Sequence, residues 1–248
     1  MALEHDRCIC LSKTEYSETS QILTLFAREH GVIRAIAKGA HRRTKAGASR
    51  FDGGVDFLEL GSAVFTFDPA RDLSTLTEWH LEEGHLGLRR TLRAMRLALC
   101  AAELSGRLIE EHDPHPGLFD MLALVLPQLA TPRREEAFLA FVLNLLRETG
   151  YLPELQVCAA CGTAASESRR SWFSPTRGGI VCDACEGKTP DRLKVDVRLM
   201  RLLQTLQRTP RLPQLTRHQT DPLNRMLADH VEHTLGRPLR MRSSVLRD

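Results

Sequence analysis

No apolar run in this sequence approaches the roughly 20 residues needed to cross a bilayer. The opening "MALEHDRCIC" carries acidic Glu4 and Asp6 where an export signal wants a basic start and an apolar stretch, so the chain reads as cytoplasmic, with no membrane partner. There is no P-loop ending in Gly-Lys-Ser/Thr, no G-x-G-x-x-G after a strand and no G-x-S-x-G, which argues against nucleotide hydrolysis and serine-hydrolase chemistry. Asp and Glu are scattered without an evident pair, and no catalytic constellation emerges. Internal repeats and low-complexity tracts are absent too. Net charge is low, +3, so any hold on an anion must come from how charges are placed. Lysine is scarce beside arginine, a bias that suits phosphate forks but that genome composition also produces.

What is present is a chain of 248 residues with 42% apolar content, enough for one large domain or two to three smaller ones. From residue 6 to about 80, "RCICLSK", "SQILTLFA", "GVIRAIAK", "VDFLELGSAVFTF" and "LSTLTEW" are apolar or alternating runs broken by Gly, Asp, Ser and Pro. Five strands at this spacing predict a small closed barrel of the OB-fold kind over residues 1–80. After residue 81 the period changes to that of helices. Met95, Leu99, Ala102, Ser105 and Ile109 share one face, as do Phe138, Phe141, Val142, Leu145 and Leu146. Thr131-Pro132 predicts a helix start, Gly150 a stop, and "HDPHPG" at 112–117 a break. Residues 158–190 lose the periodicity and hold too little apolar content for a core of their own. Helical pattern returns in "DRLKVDVRLMRLLQTLQ", and a last helix is predicted from Asp221-Pro222 to just before Gly236. The fold class is therefore α+β multidomain: a five-stranded OB-fold barrel (1–80), a helical bundle domain in two parts (81–157 and 191–248), and an embedded zinc-binding element of four cysteines (158–190).

Seven cysteines without an export signal argue against a disulfide framework, because the cytosol keeps thiols reduced. "CAAC" and "CDAC" set Cys158 and Cys161 twenty residues ahead of Cys182 and Cys185. That spacing lets two tight knuckles offer four thiolates to one Zn2+ ion. Four protein ligands leave no open position, so the zinc would be structural and would hold an otherwise coreless segment. Cys8, Cys10 and Cys100, in apolar contexts, read as small core residues. His80-Leu81-Glu82 ahead of a C-x-x-C resembles the zinc-deaminase pattern but fails on it: Val157 stands where proline is needed, and a second C-x-x-C saturates the metal. His230 and His233 lack an acidic or thiol partner and read as ordinary helix residues.

The strongest local charge asymmetry is "RAIAKGAHRRTKAGASRF" at 34–51, which holds Arg34, Lys38, Arg42, Arg43, Lys45 and Arg50 and no carboxylate. It joins the third and fourth predicted strands. A basic run is often only a solvated face. In an OB barrel, whose class tracks phosphates with cations and stacks bases on aromatic rings, it reads as a DNA-binding surface, with His41 in support. Tyr16, Phe51 and Phe57 are candidate stacking rings, the two phenylalanines being equally candidates for the core. Downstream, Arg192, Lys194, Arg198, Arg201, Arg237, Arg240, Arg242 and Arg247 either extend the electrostatic track or decorate helices. A protein-interaction scaffold built on the cysteine knuckles, with incidental nucleic-acid binding, is the alternative from another class.

Taken in order, "YSETSQILTLFAREHGVIRAIAKGAHRRTK", "FDGGVDFLEL", "LRETGYLPELQVCAACG" and "LGRPLRMRSSVL" resemble the bacterial RecO family of recombination mediators and DNA repair proteins, over essentially the full length. The resemblance implies a non-enzymatic protein that binds single- and double-stranded DNA, anneals complementary strands, and acts with RecR to load RecA onto DNA coated by single-strand-binding protein. Lys38, Gly39, Ala40, Arg42 and Arg43 match the family's basic motif, and the four cysteines match its zinc-binding form.

Overall fold

The computed structural model describes residues 2–41, 50–51, 53–68, 70–164, 171–208 and 214–242. The chain forms two compact units, Met1–Arg134 and Glu135–Asp248. In the first, β1 (Ala2–Ser17), β2 (Ser20–Ala27), β3 (Gly31–Ala37), β4 (Leu60–Phe67) and β5 (Ser74–Glu83) close a barrel in the order β1-β2-β3-β5-β4. This is the five-stranded OB barrel that the alternating sequence predicts. Burial alternates from Ile33 to Ala37 in β3, where Arg34 is the exposed member of an otherwise mostly buried strand. Cys8, Cys10, Leu23, Leu25, Ile33, Phe65, Leu76 and Trp79 fill the interior, at most 1% exposed each.

All pairings are antiparallel except that of β3 with β5, which spans only Ala35–Ala37 against Ser74–Leu76. That short seam is lengthened by the linker after the first helix: Glu111 bridges to Val32, and the His112 amide donates to the Val32 carbonyl at 3.0 Å. The approach requires Gly31. It has φ +69°, and a Cβ there would lie 2.3 Å from the Asp113 carbonyl oxygen.

A 3-10 turn (Leu86–Arg90) leads into α1 (Leu92–Leu108), capped by the Thr91 hydroxyl, and α2 (Pro116–Leu129) follows. Phe119 of α2 meets Phe26 of β2 edge-on at 5.7 Å, and Arg28 grips Asp120 through two hydrogen bonds of 2.9 and 2.8 Å. The buried stripe of α1 runs through Ala94, Leu97, Ala98, Ala101, Leu104, Ser105 and Leu108. Of the predicted face, Ala102, Ser105 and Ile109 are buried while Met95 and Leu99 are only half-buried, so the packed face is rotated from the expected one toward the start of the helix.

α3 (Arg134–Glu148) starts two residues after Pro132 and buries Phe138, Phe141, Val142, Leu145 and Leu146 as predicted; Gly150 ends it at φ +78°. The rest of the second unit comprises a three-stranded sheet of β6 (Ser171–Ser174), β7 (Gly179–Val181) and β8 (Leu193–Val195), a four-residue α4 (Asp183–Glu186), α5 (Val197–Arg208) and α6 (Arg217–Leu235). Leu193–Val195, predicted helical, is the strand that pairs with β6, and α5 starts only at Val197. α6 starts four residues before Asp221, because Thr216 and Gln219 form a capping box that outweighs the helix-breaking tendency of Pro222. No helix among the described residues is long and apolar enough to cross a membrane.

Candidate functional site

The strand register lays out the barrel's outer face. Ser12, Thr24 and Arg34 stand side by side across β1, β2 and β3, and Thr14, Ile22 and Ile36 form the next row. Ser12 donates to Thr24 at 3.0 Å. Lys38 and Tyr16 continue the outward parity at the strand ends, Tyr16 being 66% exposed. Arg34 and Lys38 are exposed, about 13 Å apart along an extended chain. Among the described residues no carboxylate lies within ion-pairing distance of Arg34, Lys38 or Arg50. Arg34 and Lys38, exposed on one face, are able to take separate phosphates of a passing strand.

The basic loop leaves and re-enters the barrel through a plugged mouth. Ala40 on one limb, and Phe51 and Val55 on the other, are at most 4% exposed and belong to the barrel core. Phe51 is thus a core residue, and the stacking alternative falls for it. Phe57, at 36% exposed, sits on the rim with the Lys13 ammonium 5.6 Å over its ring. The Arg50 carbonyl accepts from the Trp79 amide of β5 at 2.8 Å, fixing the return limb while the side chain stays in solvent. His41 is tied inward: its Nε2 lies 3.0 Å from Glu15 Oε2 and its Nδ1 3.2 Å from the Gly53 carbonyl. Glu15 raises the His41 pKa. The Gln21 amide and then His41 lower that of Glu15. Arg42, Arg43 and Lys45 lie outside the described residues. Gln21 and Glu15, which sequence reasoning missed, hold the neck of the loop; the one signal for them was a polar pair on inward-parity positions.

In the second unit the two knuckles form as the C-x-x-C spacing demands. Gly162, at φ +74°, turns the first, with its amide on the Cys158 carbonyl at 2.8 Å; the second is the start of α4, where the Cys185 amide reaches the Cys182 carbonyl at 3.0 Å. All four Sγ atoms lie within 4.8 Å of one another, and those of Cys161 and Cys182 are 3.7 Å apart. A tetrahedron with metal–sulfur bonds of about 2.3 Å has sulfurs about 3.8 Å apart, so the quartet fits a single metal ion. The four cysteines are free thiols, not disulfides. The Thr163 hydroxyl and amide hold the Cys161 thiol at about 6. Burial works against the Cys158 thiolate, but amides led by that of Cys182 outweigh it and lower the thiol. Hydrogen bonds with Cys161 and Cys182 push Cys185 up to about 12. Gly179 is required beside it, since a Cβ there would lie 2.5 Å from the Glu154 carbonyl oxygen.

The other cysteines are core residues: burial raises Cys8 and Cys10 well above the usual thiol range and Cys100 to about 12. His230 is no ligand either. It is 5% exposed, takes part in a 2.8 Å hydrogen bond with the Tyr151 carbonyl and meets Phe173 edge-on. The downstream basic residues divide. Arg242 pairs with Asp229 and Glu232, and Arg192 pairs with Glu186 and covers Trp172, whereas Lys194, Arg198 and Arg201 are exposed. Arg247 lies outside the described residues.

Residues 1–85 match the family model "Recombination protein O N terminal", and residues 89–243 match "Recombination protein O C terminal". The DNA repair protein RecO of Anaeromyxobacter sp. (strain Fw109-5) is 32% identical over 94% of this chain and 92% of its own, and that of Myxococcus xanthus is 32% identical over 93% of each. RecO of Rhodopirellula baltica is 33% identical over 84% of this chain and 76% of its own. With its OB barrel, helical part and cysteine quartet each inside a matched region, the chain belongs to the RecO family of DNA repair and recombination proteins.

Proposed function

We propose that this protein is a non-enzymatic, cytoplasmic repair factor that binds single- and double-stranded DNA, anneals complementary strands and, with RecR, helps load RecA onto DNA coated by single-strand-binding protein. The observation that carries the DNA contact is the row of uncommitted cations, Arg34 and Lys38, on an OB face with Tyr16 exposed at its end. OB folds use this face and its flanking loops for oligonucleotides. Arg50, Arg42, Arg43 and Lys45 add the loop's charge, and His41 braces it more than it contacts the strand.

Annealing needs no reacting group. Two complementary strands repel through their phosphates; a basic surface that screens both lets bases search for register, and released counterions favour binding. With about six phosphates neutralised, log affinity should fall against log salt with a slope near −4, at roughly −0.7 per phosphate on single strands.

Cys158, Cys161, Cys182 and Cys185 would hold Zn2+, for which four thiolates are a usual structural set. Bound there, the ion supplies a cross-link between the knuckles and no reactive water, because its coordination is filled by protein. The test is duplex formation from complementary oligonucleotides. Acceleration by wild type, reduced in an Arg34→Ala/Lys38→Ala variant, supports the reading; no acceleration by wild type rejects annealing and favours the interaction-scaffold alternative.

A further inference from the structure

Gln21 is a polar side chain in an apolar place. It is fully buried on β2, on the inward parity, opposite Glu15 of β1 and Ala37 of β3. Its amide behaves as a strand neighbour would toward Val55, 34 residues away: Oε1 accepts from the Val55 amide at 3.0 Å and Nε2 donates to the Val55 carbonyl at 3.3 Å. The same Nε2 donates to Glu15 Oε1 at 3.0 Å, whose other oxygen meets His41. His41 closes the circuit on the Gly53 carbonyl, and its ring lies so close to Gly54 that a Cβ there would be 2.8 Å from Cε1. One continuous chain of polar contacts, Val55–Gln21–Glu15–His41–Gly53, thus ties the outgoing limb of the basic loop to the returning one.

The links are unequal. Glu15 and His41 are 54% and 36% exposed, and a pair so open to water contributes little. Gln21 is dry, and a buried amide with both its groups paired is costly to disturb. Loop closure carries an entropic cost, as does ordering side chains on binding. A neck already closed in the free protein removes part of that cost from the DNA-binding step.

We infer that Gln21 is the positioning residue at the neck of the basic loop: its buried amide fixes the returning limb at Val55 and, through Glu15, steadies His41 on the outgoing one, so that Lys38 and Arg50 at the two ends meet one anionic strand together. This rests on the DNA-binding reading above. Gln21 touches no nucleic acid itself; it acts through Val55 and Glu15.

Gln21→Met keeps the bulk of the side chain and removes every hydrogen bond. In the full chain, without DNA, the Val55 amide should exchange its hydrogen at least about tenfold faster. Affinity for a single-stranded oligonucleotide should fall about tenfold, with the slope of log affinity against log salt unchanged, since the same cations reach phosphates once bound. A merely structural core residue would not give that pairing of lower affinity with constant slope. Should Gln21→Met fail to fold, Gln21→Glu keeps the shape and the acceptor but loses the donor and faces Glu15; it should shift both readouts the same way. Wild-type affinity in either folded variant, unchanged Val55 exchange, or a slope reduced by the share of a whole phosphate would overturn the inference. Failure of the underlying reading looks different: wild type itself would not bind the oligonucleotide, while Val55 exchange would still respond to Gln21, and positioning for DNA would fall with it.

Discussion

The barrel and the cysteine-rich segment solve the same problem in opposite ways. The barrel closes a sheet on itself around Leu23, Leu25, Ile33, Phe65 and Trp79, and each of its strands is worth having because the others are there. The segment around β6, β7 and α4 offers three- and four-residue elements, and its organising point is four sulfurs within 4.8 Å. A hydrophobic core distributes stability over many neighbours, whereas a metal knot places it in four bonds. The first tolerates graded damage; the second is all or nothing.

That contrast suggests how to break each unit separately. The largest effect belongs to the knot. Cys185→Ser, or stripping the metal with a chelator, should remove a contribution of about 10–16 kcal/mol, the range of apparent zinc affinities in small metal-folded domains. Metal analysis of wild type should return one Zn2+ per chain. NMR should then show collapse of the resonances around β6, β7 and α4 with those of β1–β5 unmoved. Phe65→Ala, inside the barrel, should cost about 3–5 kcal/mol in denaturant melts and leave metal content at wild-type level.

Smaller still is the effect of the surface cations. Arg34→Ala and Lys38→Ala together should leave both units at wild-type stability, lower DNA affinity, and flatten the salt slope by roughly 0.7 for each phosphate that no longer finds a cation. Titration gives the least. Burial works against the charge on Asp56, but Lys13, the Phe57 amide and Arg89 outweigh it and hold the carboxyl at about 2. A folded value below the ordinary 3.8 stabilises the barrel above that pH, and the gain is lost as pH falls toward 2. Wild type and Asp56→Asn should therefore melt apart at about pH 5 and converge near pH 2, by a small margin because the carboxylate is 34% exposed. The metal knot should fail earlier on the same titration, as protons compete for its thiolates.

Where the sequence is legible, one local rule decides the outcome. Alternation in "GVIRAIA" suffices for β3, and two C-x-x-C pairs suffice for the quartet. It misleads where a partner distant in the chain decides. Leu193–Val195 has no strand signature of its own and is extended because β6 lies beside it. Phe51 is a ring next to an arginine, and only the closed mouth of the barrel shows that it plugs the core. Gln21 looks like a break in an apolar strand until Val55, 34 residues on, supplies the matching peptide group. α6 differs in kind: Pro222 suggests a start, yet the capping box at Thr216 and Gln219 has already begun the helix.

The short β3–β5 seam has one more implication. With Glu111 and His112 laid along Val32, the stretch of β3 that β5 does not reach already has a neighbour, and β1 and β4 seal the far side. A protein that docks by lending a strand would find no vacancy there. At this seam a partner is left only the barrel's outer face and its loops to read.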